Sequence, residues 1–318
     1  MTHDLGTLEA VELRKVWPNE AAQFTPWLAD NISLLGNALG YDLEVRRQEA
    51  AVGRFSLDIL AHDVGRDLSV VIENQLDGTN HDHLGKLITY AAGFEAGVVI
   101  WIAEKISEEH RQALDWLNQR TDTDTEFFGV VVELLRIDDS KPAPNFRLVA
   151  FPNEWLKTSV HGERRRGLTP KQERYRAFYE GLLDELREQH GFTRARKAQA
   201  QSWYSFSTGF ADVLYGFSFR RGNQVCVEVY FDREKDWNEW AIDELQKSFQ
   251  ISDPEFQTSL TWEPLPERNA SRIALYRPGS IDDDEEALDG LRNWATEYLL
   301  KFKEVFGPRL SELVKDSE

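Results

Sequence analysis

Two acidic residues in strand-like segments give the most specific chemical signal in the sequence. Asp58 lies within the apolar alternation of "FSLDILAHD", and Glu73 lies within "LSVVIENQL". The short connection "VGRD" between these segments predicts a β-hairpin, which would bring both carboxylates within reach of one divalent ion. Paired carboxylates in a sheet repel each other unless protons or a cation compensate, and such hard oxygen ligands suit Mg²⁺ or Mn²⁺. The alternative is that both acids lie at strand ends in solvent.

The positive charge that hydrolysis would use is missing from the strand itself. Gln75 lies two residues after Glu73 on the same strand face, and a neutral amide cannot supply charge to a transition state. The segment "HDHLGKLITYAAGF" predicts a following helix, capped by Asn80 or Asp82. Lys86 and Tyr90 are four residues apart and share one face of that helix. Lys86 therefore either supplies the charge or is a surface lysine beside an unrelated tyrosine.

The combination "FSLDILA", "VVIENQL" and "HLGKLITYAAG" resembles the core of the PD-(D/E)XK nuclease superfamily. The resemblance covers roughly residues 24–155 and is to the branch whose following helix bears a Gln-xxx-Tyr pair. It implies metal-dependent cleavage, with Asp58 and Glu73 as core acids and the backbone carbonyl of Asn74 as a further ligand. It also implies a third acid on the preceding helix, for which Asp30 is the candidate.

The sequence departs from that family pattern at the lysine. Gln75 occupies the position two residues after the second acid, where the family has lysine, and Lys86 replaces the Gln of the Gln-xxx-Tyr pair. Superfamily members are known in which the lysine has moved to another element. We therefore expect Lys86 to return an amine to the site, with Gln75 and Tyr90 orienting water or phosphate.

The two histidines at the start of the same predicted helix have several interpretations. Histidines two apart do not share a helix face, and no cysteine lies nearby, so a zinc site is disfavoured. Phosphate contact or proton transfer by His81 or His83 would fit a helix N-terminus beside the site. Helix entry and capping remain the ordinary explanation.

The pattern of elements predicts two domains. An α/β restriction-endonuclease-like core, with a mixed sheet flanked by helices, is expected over residues 1–155 and a linker over residues 156–168. Residues 169–318 predict a smaller α+β domain with an antiparallel sheet. That part resembles an uncharacterised bacterial domain family found fused to such cores, on the segments "YRAFYEGLLDEL", "SWYSFSTGF" and "VCVEVYF".

The second domain combines basic residues with aromatic ones. Aromatic side chains can stack on bases while basic side chains take phosphates, although tryptophans in antiparallel sheets are more often core. The candidates for nucleic-acid contact are Arg194, Arg196 and Lys197, with the aromatics Trp203, Tyr204 and Trp237. Substrate selection and dimerisation are alternatives for this domain.

Composition limits the classes of partner. The formal net charge of −18 argues against coating duplex nucleic acid by bulk electrostatics, although it leaves room for a local basic face. A single cysteine, Cys226, excludes an internal disulfide, and the sequence has neither a secretory signal nor an apolar run long enough for a membrane span. We therefore expect a cytoplasmic protein without membrane partners. Homodimerisation would let two sites act on the two strands of a nucleic-acid duplex.

These signals predict a Mg²⁺- or Mn²⁺-dependent nuclease that hydrolyses DNA rather than RNA phosphodiesters, in bacterial defence or DNA processing. One alternative is a catalytically lapsed nuclease fold that binds nucleic acid or a protein partner, which the missing strand lysine and the acidic surface favour. Another is a structural member of a defence complex whose second domain is the working part.

Overall fold

The computed structural model describes residues 6–121, 125–152, 168–249, 256, 259–265 and 269–315. The chain divides into two compact units. The first comprises Met1–Leu39, Leu43–Asp63 and Asp67–Arg166, and the second comprises Gly40–Asp42, Val64–Arg66 and Gly167–Glu318. The predicted linker 156–168 lies outside the described residues except for its last position. The second unit is close to the first in length rather than smaller.

A mixed sheet forms the first unit, as the sequence predicts. Its strands are β1 (Leu8–Val11), β2 (Leu43–Val52), β3 (Phe55–Asp63), β4 (Leu68–Gly78), β5 (Val98–Lys105), β6 (Glu126–Ile137) and β7 (Ala143–Ala150). Strands β2, β3 and β4 pair antiparallel, and β4, β5 and β6 pair parallel. Strands β1 and β7 both pair antiparallel with β6.

The helices of this unit are short. They are α1 (Leu13–Val16), a π-helical turn (Glu20–Phe24), α2 (Thr25–Asp30), α3 (Ile32–Leu39), α4 (His81–Gly93) and α5 (Glu108–Arg120). Helices α2 and α3 are separated at Asn31, whose amide N–H donates to the carbonyls of Trp27 and Leu28. Gly40 follows α3 with φ of +75°, a left-handed conformation that glycine adopts without strain.

The predicted hairpin and the predicted cap of α4 are confirmed. Strands β3 and β4 pair antiparallel through Ile59 opposite Ile72. Of the two candidate caps for α4, Asn80 is the one used, because its side chain accepts from the amide of His83. Ser107 caps α5 in the same way. These local signals place the starts of both helices at the ends of β4 and β5.

An antiparallel sheet with helices forms the second unit, again as predicted. Its strands are β8 (Trp203–Phe210), β9 (Val213–Arg220), β10 (Gln224–Phe231), β11 (Thr261–Leu265) and β12 (Ala270–Pro278), in the order β11-β12-β10-β9-β8. Its helices are α6 (Pro170–Glu188), α7 (Lys235–Ser248) and α8 (Glu285–Lys315). Within the described residues, no helix combines the length and apolar composition that a membrane span requires.

Candidate functional site

The candidate site lies where two parallel strands of the first unit end. Glu73 on β4 pairs in register with Trp101 on β5, and both strands lead directly into the helices α4 and α5. In open α/β sheets, ligands characteristically bind outside the carboxyl ends of parallel strands. The topology therefore places β4, β5 and the first turns of α4 and α5 at one edge of the sheet.

Asp58 is oriented by the backbone of the neighbouring strand. The ladder between β3 and β4 ends at Ile59 opposite Ile72. Beyond that pair, the amide N–H of Asn74 donates to Asp58 Oδ2 over 2.7 Å. The carboxylate of Asp58 thus replaces a strand carbonyl as the acceptor, which fixes it beside the segment that carries Glu73.

Glu73 is the most deeply buried acid of the group. Its side chain is only 2% exposed. One carboxylate oxygen, Oε1, lies 3.5 Å from Lys86 Nζ and 3.9 Å from Nε2 of His83. The other oxygen, Oε2, is buried and has no hydrogen-bond partner among the described residues. A buried carboxylate oxygen without a partner is costly, so this atom has an open coordination position.

The pKa values of Asp58 and Glu73 are both raised by burial and by the negative charges of neighbouring acids. Burial, followed by the charge of Asp58, raises the pKa of Glu73 to about 8, although Lys86 opposes the shift. Burial likewise raises the pKa of Asp58 to about 6, with the charges of Glu20 and Glu49 adding to it and the Asn74 hydrogen bond opposing it. Two acids with raised pKa values at one site are typical of functional positions and would bind a cation in place of their protons.

Glu20 is a third acid, which the sequence analysis missed. It begins the π-helical turn, and its Oε2 accepts from the amide N–H of Leu76 on β4. Its charge raises the pKa values of both Asp58 and Glu73. Asp30, the acid predicted for this role, is exposed at the end of α2, and the structure does not bring it into the group. The sequence "PNEAAQF" carries the signal of a helix start, with Asn19 as cap, but nothing in it indicates that Glu20 reaches β4.

Asn74 and Gln75 are almost fully buried beside Glu73, at 1% and 5% exposure. The Asn74 side-chain amide donates to Thr25 Oγ1, and the Gln75 amide donates to the carbonyl of Gly78. The side-chain oxygens of both residues are buried, and neither has a hydrogen-bond partner within the part of the chain that the structure describes. Gln75 therefore offers a neutral acceptor two residues after Glu73. The ammonium group near Glu73 comes from Lys86 instead.

The hydroxyl of Tyr90 is used within the fold. It donates to the carbonyl of Ser56 on β3 over 2.6 Å, and the ring is fully buried. Burial and the charges of Glu73 and Asp58 raise the pKa of this hydroxyl to about 12, so it stays protonated. Lys86 and Tyr90 share a helix face as predicted. The hydroxyl of Tyr90, however, forms a hydrogen bond to the backbone of β3.

The two predicted histidines have different surroundings. His83 is half-buried, with its Nε2 toward Glu73 and its Nδ1 2.9 Å from Asn80 Oδ1. Burial and Lys86 lower the pKa of His83, which keeps the ring neutral. His81 is exposed, and its Nδ1 lies 3.0 Å from Nε2 of His110, a residue of α5 that the sequence analysis did not single out.

The nucleic-acid candidates of the second unit are only partly accessible. Arg194 and Arg196 are exposed in the segment after α6, and Lys197 is half-buried there. Tyr204 was expected to be exposed and is instead 1% exposed, because it packs in the aromatic core and its hydroxyl donates to the carbonyl of Lys197. Tyr204 is therefore unavailable for base stacking. Trp203 and Trp237 are half-buried.

The acids of the first unit fit a divalent cation that keeps much of its water. Among the described residues, no three His, Cys, Asp or Glu side chains are arranged to hold a metal between them. Two carboxylates suffice for Mg²⁺ or Mn²⁺ when water and substrate phosphate complete the coordination. The excess of Asp58, Glu73 and Glu20 over Lys86, and the open Oε2 of Glu73, favour an added positive charge.

Comparisons with known proteins cover parts of the chain. A family model described as a domain of unknown function, DUF4268, matches residues 174–310, in agreement with the uncharacterised family expected there. No curated protein matches the chain. Among solved structures, the chain is similar to the crystal structure of a repair endonuclease from Pyrococcus abyssi, at 12% identity and a TM-score of 0.27. This likeness covers 31% of the chain and 43% of the endonuclease, so the chain spans less than half of that protein's length.

Proposed function

We propose that the first unit is a divalent-metal-dependent nuclease that hydrolyses phosphodiester bonds. The observation that carries the proposal is the buried Glu73 carboxylate beside a second acid, Asp58, that is held by β4. One oxygen of Glu73 lies near Lys86, and the other has no hydrogen-bond partner among the residues that the structure describes. Such an arrangement combines oxygen ligands for a cation with an ammonium for an anionic substrate. The PD-(D/E)XK resemblance of the same segments supports this assignment.

Asp58 and Glu73 would hold Mg²⁺ or Mn²⁺, with the backbone carbonyl of Asn74 as a further ligand. A cation bound there lowers the pKa of an attacking water and neutralises charge on the phosphate. The chain's own residues then have distinct tasks. The amide of Asn74 orients Asp58, Lys86 stabilises negative charge on the phosphate, and the side-chain oxygen of Gln75 accepts a hydrogen bond from a water and so orients it.

We propose nucleic acid as the substrate, DNA in preference to RNA, and a role in bacterial defence or DNA processing. With a net charge of −18, the chain would depend on the bound cation and Lys86 to attract a phosphate. This differs from binding by a broad basic surface. Nucleic-acid binding should therefore require the divalent cation.

The first test is calorimetry of Mn²⁺ binding to the full chain and to Asp58→Asn and Glu73→Gln, because it needs no knowledge of the substrate. We expect both variants to lose the site, while Asp243→Asn on the exposed face of α7 binds as the wild type does. Cleavage of single-stranded DNA, duplex DNA and RNA is then compared in Mg²⁺, Mn²⁺ and EDTA. Metal-dependent cleavage that persists unchanged in both site variants would overturn the proposal.

A second candidate is a lapsed nuclease fold that binds nucleic acid or a protein partner without cutting. The observation that favours it is the ion pair between Lys86 and Glu73, which compensates one of the two acids without any metal. Under this alternative, DNA binds in the presence of Mg²⁺ or Mn²⁺ without hydrolysis, and Lys86→Met does not change the outcome. Hydrolysis by the wild type that is lost in Lys86→Met rules it out.

A further inference from the structure

A second group of polar side chains lies beside the candidate site and is not used by it. His110, on the first turn of α5, is only 5% exposed. Its Nδ1 lies 2.7 Å from Thr79 Oγ1 and 3.1 Å from Ser107 Oγ, and its Nε2 lies 3.0 Å from Nδ1 of His81. A buried histidine is thus connected to an exposed one at the start of the neighbouring helix.

The hydrogen bonds of this group favour one arrangement of protons on the ring nitrogens. Thr79 Oγ1 already accepts from the amide of Ser107, so its own hydroxyl proton needs an acceptor. Nδ1 of His110 provides that acceptor at 2.7 Å. With Nδ1 as an acceptor, neutral His110 carries its proton on Nε2 and donates to Nδ1 of His81. In the reverse assignment, Nδ1 of His110 would donate, and the Thr79 hydroxyl proton would have no acceptor among the described residues.

The proton positions of His110 determine those of His81. Because Nδ1 of His81 accepts, its neutral ring must carry the proton on Nε2. That nitrogen has no recorded protein partner within the described residues, and the ring is exposed. Burial and the nearby His81 lower the pKa of His110, which keeps it neutral. His81 therefore presents a fixed N–H donor.

The donor lies at the same edge of the sheet as the acids. The His110 ring is 5.2 Å from the ring of Trp101, and Trp101 is the register partner of Glu73. His81 begins α4, two residues before His83, whose Nε2 lies 3.9 Å from Glu73. The acidic Asp82 and Glu109 also lie on these helix turns, so an anion bound there would depend on a neutral donor and the site cation.

We propose that His110 is a positioning residue that holds His81 with its Nε2–H directed to a phosphate oxygen of the bound strand. The assignment of the phosphate to a nucleic acid rests on the proposed function. The tautomer of His81 does not, since it is argued from the hydrogen bonds of Thr79, His110 and His81 alone. His81 thereby contributes to substrate binding, while Asp58 and Glu73 bind the cation.

The test uses the full chain with ¹⁵N-labelled histidine, in which the ring nitrogens of seven histidines are observed by NMR. In the wild type we expect His81 as the Nε2–H tautomer, with signals that shift when inorganic phosphate is added. His110→Ala should give a mixture of His81 tautomers, and His110→Gln, which keeps an N–H donor, should restore the wild-type one. His190→Ala, an exposed histidine of the second unit, is the matched control.

Binding of a labelled single-stranded oligonucleotide in Ca²⁺ gives the second readout. Loss of one hydrogen bond to a charged phosphate should weaken binding about five- to tenfold in His81→Ala and His110→Ala, with Mn²⁺ binding unchanged. The wild-type tautomer measurement applies even if His110→Ala does not fold. An Nδ1–H tautomer of His81, signals unmoved by phosphate, or no rescue by His110→Gln would each overturn the proposal. If no nucleic acid is bound but phosphate shifts His81, the proposed function fails while this contact stands.

Discussion

Lys86 Nζ lies 3.5 Å from Glu73 Oε1, although the two residues are 13 positions apart and on different elements. The strand position two after Glu73 is occupied by Gln75, so the ammonium reaches the acid from α4. It can do so because α4 begins at His81, three residues after β4 ends at Gly78, and Lys86 lies on the same helix face as the buried Tyr90. The charge is present at the site even though the local motif lacks it.

Substituting Lys86 separates its effect on the cation from its effect on the substrate. Lys86→Met removes a positive charge that competes with a metal for Glu73, so Mn²⁺ affinity should be retained or rise at pH 8. Cleavage should fall at least tenfold, because charge developing on the phosphate loses its ammonium partner. Calorimetry and single-turnover cleavage measure the two quantities on the same preparations.

Lys105→Met at the exposed end of β5 is the matched control for that change. It removes the same charge from the same unit and should leave both quantities within about twofold. If Lys86→Met lost Mn²⁺ binding and cleavage to the same extent, Lys86 would instead be needed for the structure of the site.

The raised pKa values give the site a defined pH dependence. Glu73 titrates near pH 8 and Asp58 near pH 6 in the cation-free protein, so a metal must displace their protons. We expect Mn²⁺ affinity to rise with pH between about 6 and 8, by at most about tenfold per pH unit for each proton displaced. Calorimetry in buffers of different ionisation enthalpy measures the protons released. A flat affinity over this range would contradict the assignment of Glu73 as a ligand.

The same shifts make the cation-free protein less stable at higher pH. Since the folded pKa of Glu73 lies above its unfolded value, the folded state binds more protons between those values. The free energy of unfolding therefore falls as pH rises toward 8. Glu73→Gln should flatten that slope in chemical denaturation, whereas Glu239→Gln on the exposed face of α7 should leave it unchanged. Saturating Mn²⁺ should reduce the slope in the wild type because the cation replaces the protons.

Local patterns were enough to predict the parts of the site that are close in sequence. The alternation around Asp58 and Glu73 gave the hairpin, and the Asn80 cap with the spacing of Lys86 and Tyr90 gave α4 and its inner face. The sequence also indicated the mixed sheet and the second, antiparallel one. In each case the interactions that determine the structure lie within one helical turn or between two neighbouring strands.

The missed features depend on contacts between distant segments. Glu20 reaches the amide of Leu76, and His110 reaches His81 across the space between two helices. Strand β2 was not predicted, because its sequence "LEVRRQEAAV" carries exposed charges at its centre and pairs only with β3. No periodicity within a single segment encodes such pairings.

Glu20 and Asp30 provide a direct comparison between the acid found in the structure and the acid expected from sequence. Glu20→Gln removes a negative charge that lies near Asp58 and Glu73 and would attract a cation, and it alters the acceptor of the Leu76 amide. The same change lowers the pKa values of Asp58 and Glu73, so fewer protons compete with the metal, but we expect the lost attraction to be the larger effect. We expect Mn²⁺ affinity to fall about three- to tenfold at pH 7, whereas Asp30→Asn should leave it unchanged. Calorimetry measures both affinities. A fall in Mn²⁺ affinity in Asp30→Asn but not in Glu20→Gln would show that Asp30, and not Glu20, is the third acid.

Tyr90→Phe tests whether the helix tyrosine acts through the fold or on the substrate. The hydroxyl donates to the carbonyl of Ser56 from a fully buried position, so its removal leaves a strand acceptor without its partner. We expect a loss of about 1–2 kcal/mol in the free energy of unfolding, with kcat within about threefold of wild type. Chemical denaturation and cleavage kinetics measure the two effects, and Tyr230→Phe on β10 controls for the loss of a tyrosine hydroxyl. A drop in kcat of tenfold or more at unchanged stability would instead mean that Tyr90 orients water or phosphate directly.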